Sequence, residues 1–383
     1  MLKRCILFGI LAIYLTTGTH FTAEVLEGPR GPVEFVGLEE WTPSDLYEAI
    51  QETEPDKPFH ACAAVMISEL EFPAAAAFGY IKQGEDGAME MHTVVIGVEK
   101  STHVRYRTVG SENTELPETW QELQTAVEDN FPLVAIAAYV RYLLAEPATA
   151  IQLTELSDEE VLETSHEFAE MFGSSIESFD LVSKFIDELD YNTDHELALQ
   201  VHERAESWSA RFVATIVLAH FHEEEVSWHA IAESLIDPAR QVRDVAGKLL
   251  EGLVRAEKTV PVQWRQARET LLAILGGTNP WDFNRTLDAL IATEIDSEFA
   301  REIVQERPKL LLDAVAVIHE GFRESAHSFL TTISHSDFER DVEAWANWIN
   351  KEKLDPFFVF LAVSALILVL ISVIGWVLML KNK

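Results

Sequence analysis

The chain has 383 residues, of which 48% are hydrophobic and 10% aromatic, so it carries enough apolar material for a folded core rather than a disordered stalk. Its 29 basic and 64 acidic residues give a formal charge of −35 at pH 7. Because a nucleic-acid surface needs a concentrated basic face, this charge argues against binding to a phosphate backbone. We therefore expect no nucleic-acid partner.

The N-terminus has the layout of a secretory signal peptide. Two basic residues precede the apolar stretch Cys5 to Leu15, and small and polar residues follow it. Residues 1–23 are therefore predicted to be a signal peptide, with cleavage after Gly18 favoured and cleavage after Ala23 left open. A retained signal anchor is the alternative. In both cases the basic start of the chain stays on the cytoplasmic side.

Residues 38–112 are predicted to form a small α+β module. The run TPSD that starts at Thr42 begins a short helix, which continues to about Glu52. Two segments rich in Val, Thr, Ile and Tyr, Met89 to Val98 and Thr102 to Val109, are typical of strands, and the residues between them can turn. We therefore expect a β-hairpin from these two segments.

Two other segments of this N-terminal part give weaker signals. Residues 24–37 contain Gly and Pro and are expected to be irregular, whereas His60 to Lys82, which Pro73 interrupts, fits either two short helices or a helix and a strand. Only Cys62 remains after the signal peptide, so no intrachain disulfide is predicted. Its apolar neighbours favour a buried structural thiol over a crosslink to another chain.

Residues 115–352 are predicted to be a helical ectodomain, because apolar residues such as Trp120, Leu123 and Val127 recur at helical spacing. Proline and glycine, including Pro132, interrupt this pattern and leave helices of about 10 to 20 residues. No seven-residue repeat runs through the region. A stack of helical hairpins is therefore expected rather than a coiled coil.

The segment Trp228 to Leu253, WHAIAESLIDPARQVRDVAGKLLEGL, indicates internal repetition. It contains an apolar first helix, a break at Asp237-Pro238 and a second helix that opens with Val242-Arg243. Weaker copies follow, and the second helices begin near residues 242, 283 and 322, which are 41 and 39 residues apart. This pattern resembles HEAT repeats over about residues 205–335.

The resemblance implies a mainly α protein in which an α-solenoid of HEAT-like helical hairpins follows the small α+β module. Each helical pair would cover the apolar face of the next, and the stack would leave an extended surface for binding other proteins. The fold supports many partners, so the resemblance names none.

Two sets of side chains in these repeats carry specific expectations. Leu249 and Leu250 are expected to point into the interface between the unit at 228–253 and its neighbour, and Glu251 into solvent. Three arginines at the starts of the second helices are expected to pair across neighbouring repeats, with a ligand-binding ladder as the alternative: Arg243, Arg285 and Arg323.

The most concentrated set of potential metal ligands consists of His220, His222 and His229 with three intervening glutamates. The HEXXH spacing of zinc proteases is absent, and His220 and His222 diverge on a helix, although His222 and His229 can share a face. A solvated helix end is the preferred interpretation. Since the chain also lacks the common phosphate-binding and nucleophile motifs, we assign no catalytic residue and no cofactor.

A transmembrane anchor is predicted at Phe357 to Leu380, where 24 consecutive residues carry no charged side chain. As a helix this run would extend roughly 36 Å, enough to cross a hydrocarbon core of about 30 Å. The basic tail, residues 381–383, would then remain cytoplasmic. Residues 24–352 would therefore face the extracytoplasmic side, as a periplasmic or cell-surface domain.

These features favour a single-pass membrane protein of the cell envelope whose helical repeats bind other proteins as a scaffold. An envelope enzyme is the first alternative, with its site in the α+β module near Cys62, His60, His92 or His103. An accessory or sensor subunit of a membrane complex is the second.

Overall fold

The computed structural model describes residues 24–28, 30–55, 59–83 and 89–351. These residues form sixteen α-helices and one four-stranded sheet, which confirms the prediction of a mainly helical chain with a small N-terminal sheet. The predicted signal peptide, membrane anchor and basic tail lie outside the described residues.

A helix that spans a membrane needs about 20 consecutive, mostly apolar residues. None of the described helices is, by itself, both long and apolar enough to cross a bilayer. One pair of consecutive helices, Glu118–Leu144 and Pro147–Leu153, reaches these limits together, with a bend of 77° between its two parts.

The N-terminal part combines a sheet with two short helices. The strands are β1 (Val25–Gly28), β2 (Gly31–Val36), β3 (Ala74–Gln83) and β4 (Met89–Val98), and the helices are α1 (Pro43–Thr53) and α2 (Ala63–Ser68). The sheet order is β1-β2-β4-β3, in which β2 and β4 are parallel and the other pairs are antiparallel. Thr42 caps α1, because its side chain accepts a hydrogen bond from the Asp45 amide.

Two expectations for this part are wrong and two are confirmed. Residues 24–37 are not irregular, since they form β1 and β2. The hairpin partner of β4 is β3, not the segment from Thr102 to Val109. The helix after Thr42 is present, and His60 to Lys82 is a helix followed by a strand.

The sheet contributes side chains to a core on each of its faces, because successive side chains of a strand point to opposite faces. On one face Val36, Val94 and Ile96 join the core of the helical region. On the other face Phe35 and Val95 pack with α1 and α2 in a second, smaller core. Sheet and helices therefore share apolar packing.

Fourteen further helices follow within the described residues. They are α3 (Glu118–Leu144), α4 (Pro147–Leu153), α5 (Asp158–Met171), α6 (Ile176–Asp187), α7 (Glu196–Arg204), α8 (Trp208–His220), α9 (Glu225–Ser234), α10 (Arg240–Arg255), α11 (Arg268–Leu275), α12 (Phe283–Ala292), α13 (Ser297–Glu306), α14 (Lys309–Ala316), α15 (Glu320–Ser334) and α16 (Val342–Asn350). The break expected at Pro132 is instead a kink inside α3, where Asn130 leaves helical geometry.

The segment Trp228 to Leu253 forms the predicted pair of helices, α9 and α10, joined at Asp237-Pro238. Leu249 and Leu250 are buried as expected. Glu251 is not a simple exposed residue, because it accepts hydrogen bonds from the Tyr139 hydroxyl at 2.7 Å and from Arg285 Nε at 2.6 Å. It therefore joins α10 to α3 and α12.

The segment from Val104 to Glu112, which we call the strap, crosses the turns of the helical region. The Arg107 amide donates to the Ile236 carbonyl at 2.8 Å, and the Glu112 amide donates to the Arg204 carbonyl at 2.9 Å. The β-forming residues of the strap thus have their hydrogen bonds to helix turns, which explains why the second half of the expected hairpin does not join the sheet.

Arginine side chains near the starts of several helices bind the turns between helices. Arg243 Nη1 donates to the carbonyls of residues 237 and 238, and Arg323 Nη1 donates to those of residues 317 and 318. Arg211 makes the same pair of bonds to residues 205 and 206. Only Arg285 shows the expected pairing between units, to Glu251. Each of the other three binds the turn that precedes its own helix.

Candidate functional site

A cleft of about 600 Å³ lies between the N-terminal module and the helical region. The start of α2 and of β3 forms one wall, one face of α10 forms the other, and the residues before α12 close one end. The strap contributes Tyr106. A cavity of this size falls in the range that accommodates small ligands or a short stretch of peptide.

Three large apolar side chains of the cleft region are exposed to solvent. Ile67 is 49% exposed, Tyr106 44% and Trp281 45%. The Trp281 ring packs against the ring of Phe78 on β3, and the two ring centroids are 5.4 Å apart. Aromatic side chains held in a concave surface are typical of binding hot spots.

The opposite wall carries four basic side chains: Arg240, Arg243, Lys248 and Arg285. Arg243 lies over the Tyr106 ring, with its guanidinium carbon 4.9 Å from the ring centroid. Arg240 and Lys248 have no carboxylate oxygen within 4.0 Å among the described residues. They are therefore available to a ligand.

Two carboxylates also line the cleft, and they differ in their surroundings. Asp282 is buried and accepts hydrogen bonds from Asn279 Nδ2 at 2.8 Å and from Arg285 Nη1 at 2.7 Å. Burial raises the pKa of Asp282, although Arg285 acts in the opposite direction. Asp244 is half-buried and lies between Arg240 and Lys248 in sequence, without an ion pair within 4.0 Å in the described part of the chain.

Gly247 is required for this arrangement. A Cβ atom at this position would lie 2.1 Å from Asp282 Oδ1, so a larger residue would displace the buried carboxylate. The glycine occurs in the middle of α10, where alanine would otherwise be more stable by about 1 kcal/mol. Its presence therefore reflects the close approach of α10 to the turn before α12.

The residues considered for an enzyme do not come together. His60 lines the cleft, and its Nδ1 atom is buried without a hydrogen-bond partner among the described residues. Cys62 is 1% exposed and packs in the core beside α1. His103 Nδ1 lies 3.4 Å from Glu39 at a separate, smaller hollow of about 240 Å³.

His92, on β4, belongs to a separate cluster of polar side chains that lies outside the cleft. Its Nε2 atom lies 2.7 Å from Glu34 Oε1, and the fully buried Glu34 also accepts hydrogen bonds from the amides of Ile318 and His319. The His319 ring stacks on Tyr80 at 4.0 Å. Burial raises the pKa of Tyr80 to about 12 and lowers that of His319. Glu34 thereby fastens β2 to the start of α15.

The three histidines considered as metal ligands lie around the turn between α8 and α9. Burial lowers the pKa of His220 and of His222, and the His222 carbonyl accepts a hydrogen bond from Trp228 Nε1. His229 Nε2 lies 3.8 Å from Glu225. In the part of the chain that the structure describes, no three His, Cys, Asp or Glu side chains form a group that could hold a metal ion.

Comparisons with models of known protein families, with curated proteins and with solved structures give no significant match to this chain. The assignment of function therefore depends on the geometry of the molecule itself.

The cleft could not be predicted from the sequence. The spacing of Arg240, Asp244 and Lys248, each four residues apart, indicates that they share one side of a helix. Nothing in the sequence shows that Tyr106, more than a hundred residues earlier, lies against that side.

Proposed function

We propose that this protein is a membrane-anchored scaffold of the cell envelope, which binds a protein partner in the cleft between its sheet and its helical repeats. The observation that carries the proposal is the grouping of Ile67, Tyr106 and Trp281, all exposed, beside arginine side chains in a concave surface. Aromatic and arginine side chains dominate the energetics of protein interfaces.

A HEAT-like solenoid is the second part of the proposal. Three pairs of helices support it: α9 with α10, α11 with α12, and α14 with α15. The second helices begin at residues 240, 283 and 320, and they pack in succession, α10 against α12 and α12 against α15. The turn-binding arginines at Arg211, Arg243 and Arg323 add a repeated contact. Such a stack presents a rigid surface next to the cleft.

The location of the protein follows from sequence alone. The predicted signal peptide and the apolar run Phe357 to Leu380 would place the described residues on the extracytoplasmic side. Protease added to intact cells, for a cell-surface domain, or to spheroplasts, for a periplasmic one, should therefore digest the region between residues 24 and 352. Protection of this region together with cleavage of the tail would reverse the orientation. Deletion of residues 357–383 should release the protein from the membrane.

Affinity capture of the full chain from membranes in mild detergent tests the scaffold function. The wild type is expected to retain a stoichiometric protein partner. The double variant Ile67→Ala/Trp281→Ala should lose it, by at least about tenfold, since it removes two apolar contacts of the cleft. Ile151→Ala is the matched control, because Ile151 is 67% exposed and lies on α4, outside the cleft.

Two results would contradict this proposal in different ways. Absence of any stoichiometric partner from the wild type would argue against a scaffold. A partner retained equally by the double variant and by Ile151→Ala would show that another surface binds it.

An enzyme is the second candidate, and one observation favours it. A carboxylate that orients an imidazole, as Glu34 does with His92, is a common arrangement for general base catalysis. Glu34, however, is already held by two amides of the α14–α15 turn, which gives it a structural role. Turnover in a substrate screen that disappears in His92→Gln, with an unchanged melting temperature, would favour the enzyme.

A further inference from the structure

We propose that the cleft binds a short, extended, acidic segment of the partner protein, with one carboxylate near each end and an apolar side chain between them. This proposal rests on the scaffold function and specifies the chemistry of the bound segment. It follows from the distribution of charge along α10, from the exposed aromatic residues opposite, and from the charge of the whole chain.

The two available cations of the cleft are well separated. Arg240 and Lys248 are eight residues apart on α10, which corresponds to roughly 12 Å along the helix axis. A single phosphate or carboxylate group could contact both only if the two side chains bent towards each other. An extended peptide advances about 3.3 Å per residue, so that side chains four residues apart are about 13 Å apart. Two acidic residues at this spacing match the two cations.

The middle of the cleft favours a side chain without charge. Asp244 lies between Arg240 and Lys248 and would repel a third carboxylate at this point. Trp281 and Tyr106, which are both half-exposed, offer ring surfaces to an apolar side chain. In an extended segment alternate side chains point to the same side, so residues 1, 3 and 5 of a pentapeptide would face the cleft together.

The charge of the whole chain limits the length of the ligand. At −35, the protein repels long polyanions, whereas the four basic side chains of the cleft outnumber its two carboxylates. A short acidic segment can use this local excess of positive charge without large repulsion from the remaining surface. The same argument disfavours nucleic acid and anionic membrane surfaces.

The probe is a fluorescently labelled pentapeptide of sequence EAFAE, with blocked ends, added to the purified full chain in mild detergent. We expect saturable binding that weakens as the salt concentration rises. The double variant Arg240→Gln/Lys248→Gln should lower the affinity by roughly tenfold, because two charge-assisted contacts are lost. Arg265→Gln is the matched control, since Arg265 is an exposed cation outside the cleft and should leave the affinity unchanged.

Three further measurements determine which features of the segment are recognised. Asp244→Asn should raise the affinity for a peptide EAEAE more than for EAFAE, because it removes the repulsion in the middle of the cleft. Peptide EEAAF has the same composition as EAFAE but a different spacing, and it should bind at least several-fold more weakly. Inorganic phosphate at equal concentration should not compete.

Specific results would overturn the inference. The first two are absence of EAFAE binding and equal affinity of the Arg240→Gln/Lys248→Gln variant and the wild type for EAFAE. The third is binding of EEAAF as tight as that of EAFAE. The fourth is full competition by phosphate, which would indicate a small-anion site. If the wild type still captures a partner that Ile67→Ala/Trp281→Ala loses, the scaffold function stands and only the acidic chemistry of the segment is wrong. If no partner is captured either, the proposed function itself fails.

Discussion

At the scale of single residues, Asp237 is the polar centre of the helical region. It is fully buried and accepts hydrogen bonds from Arg211 Nε and Nη2, both at 2.9 Å, and from Arg107 Nη2 at 2.8 Å. Burial acts to raise the pKa of Asp237, but the hydrogen bonds from Arg211 and from the Ala239 amide, with the charge of Arg107, leave it lowered. One carboxylate thus pairs with two guanidinium groups, the buried one of Arg211 and the largely buried one of Arg107.

Replacement of Asp237 by Ala should therefore be strongly destabilising. It would leave the buried guanidinium group of Arg211 and the largely buried one of Arg107 without their carboxylate, and breaking such a pair typically costs about 3 to 5 kcal/mol in the free energy of unfolding. Denaturant unfolding of the full chain in mild detergent measures this loss. Asp180→Ala, at an exposed ion pair with His166, is the control and should cost less than about 1 kcal/mol. Equal losses in the two variants would contradict the role of Asp237.

His202 makes stability depend on pH. It is 3% exposed, and burial together with the charge of Arg107 lowers its pKa from 6.5 to about 3. Between these two values the unfolded chain binds a proton that the folded chain does not. The contribution of His202 to the free energy of unfolding should therefore be fully present above pH 6.5. As the pH drops towards 3, this free energy should fall by up to about 1.4 kcal/mol per pH unit because of this residue.

Unfolding measured between pH 4 and pH 7 tests this dependence. His202→Gln should show a shallower slope than the wild type, because glutamine takes up no proton in this range. His335→Asn, at an exposed position where the backbone is left-handed, should keep the slope of the wild type. An unchanged slope in His202→Gln would mean that His202 does not contribute.

The sequence indicates some of these residues but not their partners. Asp237-Pro238 was recognised as a break between helices because proline and aspartate are typical of turns. That Asp237 binds Arg107 could not be predicted, since the two residues are 130 positions apart and pairing at such a distance leaves no local pattern. The expectation for Glu251 failed for the same reason, because its partner Tyr139 is 112 positions away.

At the scale of elements, the strap shows how local preference and tertiary contacts compete. Its residues favour extended backbone, yet their hydrogen bonds go to helix turns instead of a neighbouring strand. The periodic helices were predictable because an amphipathic pattern repeats within each one. The strap was not, because its partners lie in three separate turns of the helical region: the Arg105 amide donates to Thr278 Oγ1 at 2.9 Å, and the other two turns contain Ile236 and Arg204.

Gly110 is the position at which the strap tolerates no side chain. A Cβ atom there would lie 2.0 Å from the carbonyl oxygen of Arg204, and this oxygen already accepts the hydrogen bond of the Glu112 amide. Gly110→Ala should therefore force the strap away from the end of α7 and lower the free energy of unfolding by about 1 to 3 kcal/mol.

Hydrogen exchange measures the local effect of this change. The Glu112 and Glu206 amides, which bond the strap to the turn, should exchange faster in Gly110→Ala. Ser111→Ala changes the exposed neighbour and should leave both amides protected. If Gly110→Ala were as stable as the wild type, the contact between the strap and Arg204 would not be tight.

At the scale of the whole molecule, the sheet and the helices are joined by a common core and by two carboxylates, the buried Glu34 and the partly buried Asp313. Val94 packs with the helical region, Glu34 binds the turn before α15, and Asp313 Oδ2 accepts a hydrogen bond from the Gly37 amide at 3.0 Å. Composition changes near residue 115, which indicated two separate parts of the chain. The shared core could not be anticipated. A strand that is buried on both faces is apolar along its length, so its sequence does not show which face packs against the helical region and which against α1 and α2.

Val94 and Val95 are neighbours on β4 that point to opposite faces and are both fully buried. Val94 packs in the core with the helical region, whereas Val95 packs with α1 and α2. Truncation of either to Ala should cost about 2 kcal/mol, the lost apolar burial plus a small cavity. The two substitutions thus disturb the same strand by similar amounts but on different sides.

Hydrogen exchange of the full chain distinguishes an integrated molecule from two independent parts. If the sheet and helices unfold together, Val94→Ala should accelerate exchange in the sheet and also in α14 and α15, which are fastened to β2. Val95→Ala should act mainly on the sheet, α1 and α2 at low denaturant. Acceleration confined to residues before 112 in both variants would mean that the N-terminal part opens by itself. The cleft would then lie between two units free to separate, and a partner held in it would have to bind both walls to keep it closed.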